Sequence, residues 1–329
     1  MTRPCPEMLE AMHAANVGDA VFGDDPSVHE LEAYAARLFG VEGSLFFPSG
    51  TMANQVAIKS HTKPGDQVIC DETAHIHVYE GGGAALHSGV SCRLLNGEGG
   101  RFNANQVGEA VQPDDPHFPR SRLVSIENTS NKGGGTVWEF SDLKEIEKVC
   151  KQNGLGLHLD GARLFNAIVE TEETPQHFGG LFDSISICLS KGLGAPVGSL
   201  LLGDAAFLHE ANRMRKVFGG GMRQAGYLAA AGLYALQHNV SRLRVDHENA
   251  KRLAEALGQS SSSGTVLPPV TNMVMIDFDT PEELNRFASR LTEKEVLSAT
   301  MSSTRLRLVT HKDVIDTMMD RAVEVIEAM

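Results

Sequence analysis

Apolar positions along the first two thirds of the chain alternate between a period of three to four and a period of two, the spacings of a helix and a strand. Val28, Leu31, Ala35, Leu38 and Phe39 keep the helical spacing behind Ser27-Val28-His29-Glu30, which has the form of a capping box, and Gly40 is a stop. Leu45-Phe46-Phe47 reads as a buried strand, and Pro48-Ser49-Gly50-Thr51 turns into a second helix. Pro64-Gly65-Asp66 marks a turn before a strand at 67–70, and a further strand at 123–126 precedes Glu127-Asn128-Thr129 and the Gly133-Gly134-Gly135 loop. Ser141 is placed to cap a helix through Leu143, Ile146, Val149 and Cys150 that ends at Asn153-Gly154. Leu155, Leu157 and Leu159 alternate toward Asp160, and Ile185, Ile187 and Leu189 alternate toward Ser190-Lys191. This strand–helix rhythm predicts an α/β fold with a mainly parallel sheet flanked by helices.

After about residue 220 the pattern becomes helical, and a polar stretch, Gly258-Gln259 with serines at 260–263 and Gly264, reads as an exposed loop or linker. Segments 273–278, 281–291, 306–309 and 314–328 then read strand, helix, strand, helix, predicting a smaller α/β C-terminal domain. The division expected is an N-terminal segment 1–25 packing with the small domain, a large domain 26–240 and a small domain 241–329.

Composition narrows the function. The chain has 329 residues, 42% hydrophobic and 22% charged, enough for a substantial core without disulfide or metal staples. Thirty-three glycines against 13 prolines without a period exclude collagen and low-complexity disorder. The net charge of −13 and the lack of a basic run argue against nucleic acid as a partner, while leaving room for one small anion held by local cations. Five cysteines, scattered and never in a CxxC, fit reduced thiols. The N-terminal stretch has no signal-peptide core and no run approaches a membrane span, so a soluble, cytoplasmic protein is expected.

In open α/β sheets ligands bind beyond the carboxyl ends of the strands. Ser49-Gly50-Thr51, Asp160-Gly161-Ala162-Arg163 and Ser190-Lys191 all stand at such ends. Gly50-Thr51 before a helix suits a phosphate, although an ordinary turn has the same look. No Gly-Lys dipeptide occurs, which excludes a Walker-type loop, and Gly192-Leu193-Gly194-Ala195-Pro196 does not fit the dinucleotide fingerprint. Lys191 is either a solvated strand-end lysine or a desolvated amine able to form a Schiff base, and Asp160 either a cap or a partner for a pyridinium nitrogen. Taken together, an aspartate and a lysine in those two roles define a pyridoxal-phosphate site. Arg163 and Arg307 are surface ion-pair residues or grips for a carboxylate. His75-Ile76-His77 resembles a metal pair on a strand, but without a third ligand no metal is expected. His75 reads better as a ring stacked on a flat cofactor, or as a general base, than as a ligand.

Phe47-Pro48-Ser49-Gly50-Thr51-Met52-Ala53-Asn54-Gln55, His158-Leu159-Asp160-Gly161-Ala162-Arg163, Leu189-Ser190-Lys191-Gly192, Gly219-Gly220-Gly221-Met222-Arg223-Gln224-Ala225-Gly226 and Arg307-Leu308-Val309-Thr310-His311-Lys312 resemble, in order and over nearly the whole chain, the low-specificity L-threonine aldolases. These are fold-type-I pyridoxal-phosphate enzymes. The resemblance implies that Lys191 forms the internal aldimine, that Asp160 holds the ring nitrogen protonated, and that His75 stacks on the ring. Ser49, Gly50 and Thr51 match the phosphate-binding turn, Lys216 and Arg223 match basic residues of the cofactor region that reach a neighbouring subunit, and Arg163 and Arg307 match the carboxylate-binding arginines.

The implied reaction is retro-aldol cleavage of L-threonine or L-allo-threonine to glycine and acetaldehyde, with His75 as candidate base. A homodimer or homotetramer is implied as well. Two departures stand out. Family members begin with a short Arg-Ser-Asp-Thr segment whose serine helps bind substrate, and the sequence here opens at Met1-Thr2-Arg3-Pro4, just after it. Many have histidine after Glu-Asn-Thr, where this chain has Ser130, a hydroxyl that donates a hydrogen bond but is a poor base at neutral pH. Other readings on the same scaffold are another β-hydroxy-amino-acid aldolase, a β-eliminating lyase, or a non-catalytic cofactor-binding relative lacking the N-terminal segment.

Overall fold

The computed structural model describes residues 2–260 and 262–329; Met1, and Ser261 within the polar stretch, lie outside the described residues. Two sheets organise the chain. The first is built from β1 (Gly43–Phe47), β2 (Gln67–Asp71), β3 (Ser91–Leu95), β4 (Ser121–Glu127), β5 (Gly156–Gly161), β6 (Ser184–Cys188) and β7 (Ser199–Gly203), in the spatial order β1-β7-β6-β5-β4-β2-β3. Strands β6, β5, β4, β2 and β3 run parallel, and β7 is antiparallel to both its neighbours. Every residue of β2, β6 and β7 is buried, as expected of strands covered by helices on both faces, while the edge strand β3 is largely exposed. The mainly parallel, helix-flanked sheet is the one the sequence rhythm predicts.

The second sheet is antiparallel throughout: β8 (Thr265–Leu267), β9 (Met273–Asp277), β10 (Ala299–Thr300) and β11 (Arg305–Val309) lie in the order β10-β11-β9-β8. Val274, Ile276, Leu306 and Leu308 point to one face and meet Leu253 and Leu257 of the helix Leu243–Gln259 in a core of their own. The helix Pro281–Glu293 carries a full capping box from Thr280 and Glu283.

Several local expectations are corrected. The helix Pro26–Phe39 is capped by Asp25, with Pro26 at its first position, and Ser27 lies inside it, donating its hydroxyl to the carbonyl of Asn16 at 2.7 Å. Asp25 wins because its Oδ1 accepts the Val28 N–H (3.1 Å) while its Oδ2 accepts the N–H of Gly226 (2.9 Å), at the start of the helix Gly226–His238. One buried carboxylate thereby terminates two helices. The helix Phe140–Asn153 begins before Ser141 and has no side-chain cap. His75-Ile76-His77 forms a single helical turn, His75–Val78, rather than a strand. β6 stops at Cys188, so Leu189 to Lys191 belong to the turn that follows.

The glycine run after β4 has a specific reason. Gly134 (φ 79°) and Gly135 (φ 83°) adopt left-handed conformations, and a Cβ on Gly135 would stand 2.2 Å from Thr271 Oγ1. Thr271 Oγ1 donates to the Gly135 carbonyl at 3.1 Å, and Lys132 Nζ donates to the Met301 carbonyl at 2.9 Å. The loop behind β4 is thus pressed against the second sheet. Among the described residues, no helix is long and apolar enough to cross a membrane.

Candidate active site

Strand register assembles the site. β4, β5 and β6 pair so that Glu127 lies beside Asp160 and Asp160 beside Ser186, all at the carboxyl ends of their strands. Over these ends opens a cavity of 340 Å³ whose wall includes Ser49, Gly50, Thr51, His75, Asp160 and Lys191. Six residues singled out in the sequence are therefore brought together. The 12-residue helix Gly50–His61 points its N-terminus into the cavity, with Ser49 as cap, its Oγ accepting the Met52 N–H at 3.1 Å. That end offers unpaired N–H groups and a positive dipole to an anion.

Asp160, 2% exposed, accepts the Ala162 N–H on Oδ1 (3.1 Å) and the Asn54 amide on Oδ2 (2.8 Å). Asn54 also donates to Glu80 Oε1 at 2.9 Å, and Glu80 Oε1 in turn faces His75 Nδ1 at 2.9 Å. The hydrogen bond that His75 gives to Glu80 raises the His75 pKa above its ordinary value, opposed by burial and Lys191 and reinforced by the charges of Asp160 and Glu80. One donor atom each from His75, Glu80 and Asp160 lie within 4.8 Å of one another, close enough to admit a cation. Asn54 already supplies N–H groups to both carboxylates there, so the donor set favours a cationic ring nitrogen over a metal ion.

Glu127 ties this region to the arginines. Its Oε2 accepts the main-chain N–H of His75 and its Oε1 that of Asn131, both at 2.8 Å. Burial, then the charge of Asp160, pushes its carboxyl up to about 7 against the pull of those two N–H groups. Asn131 Oδ1 then accepts from Arg307 Nη1 (2.8 Å) and Arg163 Nη1 (3.4 Å). Arg163 follows β5 and Arg307 lies on β11, so the pair is drawn from both sheets. Burial lowers both guanidinium pKa values, Arg163 further through the charge of Arg307, and Arg307 Nε is buried without a partner. Two crowded cations with an unpaired donor call for an anion.

Five sequence candidates are off the cavity wall: Arg163 and Arg307, tied to it through Asn131, Glu127 and His75, and three that stand elsewhere. Ser130 is buried, its Oγ accepting the Gly133 N–H at 3.1 Å, and it is not on the cavity wall. Lys216 lines a separate cavity of 710 Å³ with Val21, Phe22 and Arg215. Arg223 is exposed and faces Asp19 at 3.6 Å. Asn54, Glu80, Glu127 and Asn131 are site residues that sequence reasoning did not find. For Asn54 a signal exists, since Asn54-Gln55 interrupts a wholly buried helical run.

The wall fits pyridoxal phosphate: an amine at Lys191, a carboxylate at Asp160 held from behind by Asn54, and a helix N-terminus at Gly50-Thr51 face one space.

The chain matches the model of the beta-eliminating lyase family over residues 1–281. It is 44% identical over 319 residues to a low specificity L-threonine aldolase of Escherichia coli strain K12, spanning 95% of this chain and 92% of that one. It is 38% identical over 283 residues to a low specificity L-threonine aldolase of Saccharomyces cerevisiae, spanning 84% and 72%. Among solved structures, a threonine aldolase of Leishmania major superimposes with a TM-score of 0.85 at 21% identity, over 99% of this chain and 96% of that one. A serine palmitoyltransferase of S. paucimobilis with a bound PLP–myriocin adduct gives 0.76 at 18% identity, over 98% and 83%. At those identities the structural likeness is one of fold.

Proposed function

This chain belongs to the low-specificity L-threonine aldolases within the beta-eliminating lyase family, and from that membership we propose that it cleaves L-threonine and L-allo-threonine to glycine and acetaldehyde. It is a carbon–carbon lyase, and its cofactor is pyridoxal phosphate. The observation that carries the reading is the convergence of Lys191, Asp160, His75 and the Ser49-Gly50-Thr51 turn on one cavity. When bound, the cofactor supplies an electron sink for the pair left on the substrate Cα as the Cα–Cβ bond breaks.

The roles of this chain's residues follow from their surroundings. The Lys191 amine would hold the cofactor on the cavity wall. Gly50 and Thr51 hold its phosphate at the helix N-terminus. Asp160 accepts the ring N–H with the oxygen capacity that Ala162 and Asn54 leave over. Arg163 and Arg307 grip the substrate carboxylate, and Asn131, bonded to both, sets the spacing between them. With Nδ1–H given to Glu80, the neutral form of His75 has a bare Nε2, which takes the proton of the substrate's β-hydroxyl, while the raised pKa favours the imidazolium once that proton is taken. That proton leaves oxygen as the aldehyde forms, and a proton is returned to Cα to complete glycine. Ser130 is given no part in this step, because it is buried and off the cavity wall.

Lys216 and Arg223, which are not on the wall of the Lys191 cavity within one chain, are assigned to the neighbouring subunit's site in a homodimer or homotetramer. A cytoplasmic setting and the division at 26–240 and 241–329 belong to the same proposal.

The test is acetaldehyde release from L-threonine and L-allo-threonine with added pyridoxal phosphate. Release that vanishes in Lys191→Ala is the expected result. Ammonia and a keto acid in place of glycine and aldehyde would replace this reading by β-elimination.

A further inference from the structure

Behind Asp160 a line of buried polar groups runs back through the sheet to the far end of the helix Gly50–His61. Its direction can be worked out group by group. Asn54 Nδ2 faces two carboxylate oxygens, Asp160 Oδ2 at 2.8 Å and Glu80 Oε1 at 2.9 Å, which fixes the amide: the nitrogen points at the carboxylates and Oδ1 points away. Oδ1 accepts the Ser186 hydroxyl at 2.6 Å and faces His158 Nε2 at 3.3 Å. An amide oxygen only accepts, so His158 carries its proton on Nε2.

His158 is completely buried, and burial, then the charge of His61, pushes its pKa down to about 3 against the opposing pulls of the Asp160 charge and the Ser184 main chain. It is therefore neutral, and Nδ1 is bare. Ser184 Oγ, 2.9 Å away, must donate to it. With its hydrogen spent, Ser184 Oγ is an acceptor for His61 Nε2 at 2.8 Å. Each hydrogen in the line, from His61 through Ser184, His158 and Asn54, points toward Asp160.

We propose that His61, Ser184, His158 and Asn54 form a one-way chain of hydrogen-bond donors that positions Asp160, holding it as an ionised acceptor turned toward the cofactor's ring nitrogen. The proposal rests on the aldolase reading for the ring nitrogen, although the direction of the chain does not. A reversed chain would have to turn the Asn54 amide, setting an oxygen against two carboxylates, and like-facing acceptors in a dry site are strongly disfavoured. The four residues touch neither substrate nor the reacting bond; they act through Asp160.

Two measurements on the holoenzyme test this. Nitrogen-15 spectra of histidine-labelled protein should show His158 neutral and protonated on Nε2 from pH 5 to pH 9; a proton on Nδ1 would overturn the proposal without any variant. His158→Leu should weaken pyridoxal-phosphate binding roughly two- to tenfold, the worth of one hydrogen bond between neutral groups. It should also shift the absorption band of the bound cofactor in the same sense as Asp160→Asn. His158→Gln, which both accepts and donates, should restore much of each. Wild-type affinity and spectrum in a folded His158→Leu protein would refute the role. If the wild type binds cofactor and shows the expected tautomer and spectral shifts but releases no acetaldehyde, the chain of donors stands and the aldolase reading falls. An active wild type with the opposite tautomer does the reverse.

Discussion

Glutamine in place of Glu127 keeps the shape of the side chain but removes its charge and one of its two acceptors. In the native protein each oxygen of Glu127 takes one buried N–H, from His75 and from Asn131. Glutamine satisfies one and turns its own NH₂ against the other, a loss of about 1–3 kcal/mol that does not vary with pH. The charge adds a second, pH-dependent effect. Raising this carboxyl from 4.5 to about 7 means that ionising it costs the folded state about 3 kcal/mol relative to the unfolded chain. The group binds its proton more tightly when folded, so its contribution is fully present below pH 4.5 and is lost as pH rises through 7. Glutamine carries no such dependence. At pH 5, then, the variant should be the less stable protein, and by pH 8 the gap should close or reverse. With about 2.1 cal/mol/K of unfolding entropy per residue, the gap in Tm should change by about 4 °C between those pH values. Calorimetry of cofactor-free protein at fixed concentration measures it. A gap that stays constant within a degree from pH 5 to pH 8 would refute the assignment of a raised pKa to Glu127.

Asn131→Ala removes the acceptor shared by Arg163 and Arg307; KM for L-threonine should rise about tenfold with a smaller change in kcat, as steady-state kinetics will show. Asp25→Ala orphans the N–H groups of Val28 and Gly226 at two helix starts, and thermal unfolding should report a loss of about 2–4 kcal/mol with cofactor affinity unchanged.

The periodic segments of the sequence predict the parallel sheet well, because Leu157 and Leu159, or Ile185 and Ile187, alternate with His158 or Ser186 at a strand's period of two, which separates them from a helix. β7 was not legible in the same way. Leu200, Leu201 and Leu202 form a continuous apolar run, which a strand buried on both faces shares with a helix. Cap choice failed at Ser27 because the decisive partner of Asp25 is Gly226, two hundred residues away. The residues of the cavity wall that were singled out could be read since most sit at a strand end within a motif. Glu127 and Asn131 act through main-chain N–H groups and a shared side-chain oxygen, relations that only the folded register creates. Ser130 shows the converse: its neighbours in sequence suggest a substrate contact, while its hydroxyl is used to close the glycine turn.

The sharing of Asn131 by an arginine from each sheet has a consequence for the order in which the protein matures during synthesis. The residues that wall the cavity lie between Pro48 and Val197 and leave the ribosome well before β11. Arg307 arrives late, and with it the second of the two guanidiniums that share Asn131. A nascent chain that folds from its N-terminus outward thus completes the cavity wall before that cation pair is assembled. The pair is withheld until nearly the whole polypeptide has been made.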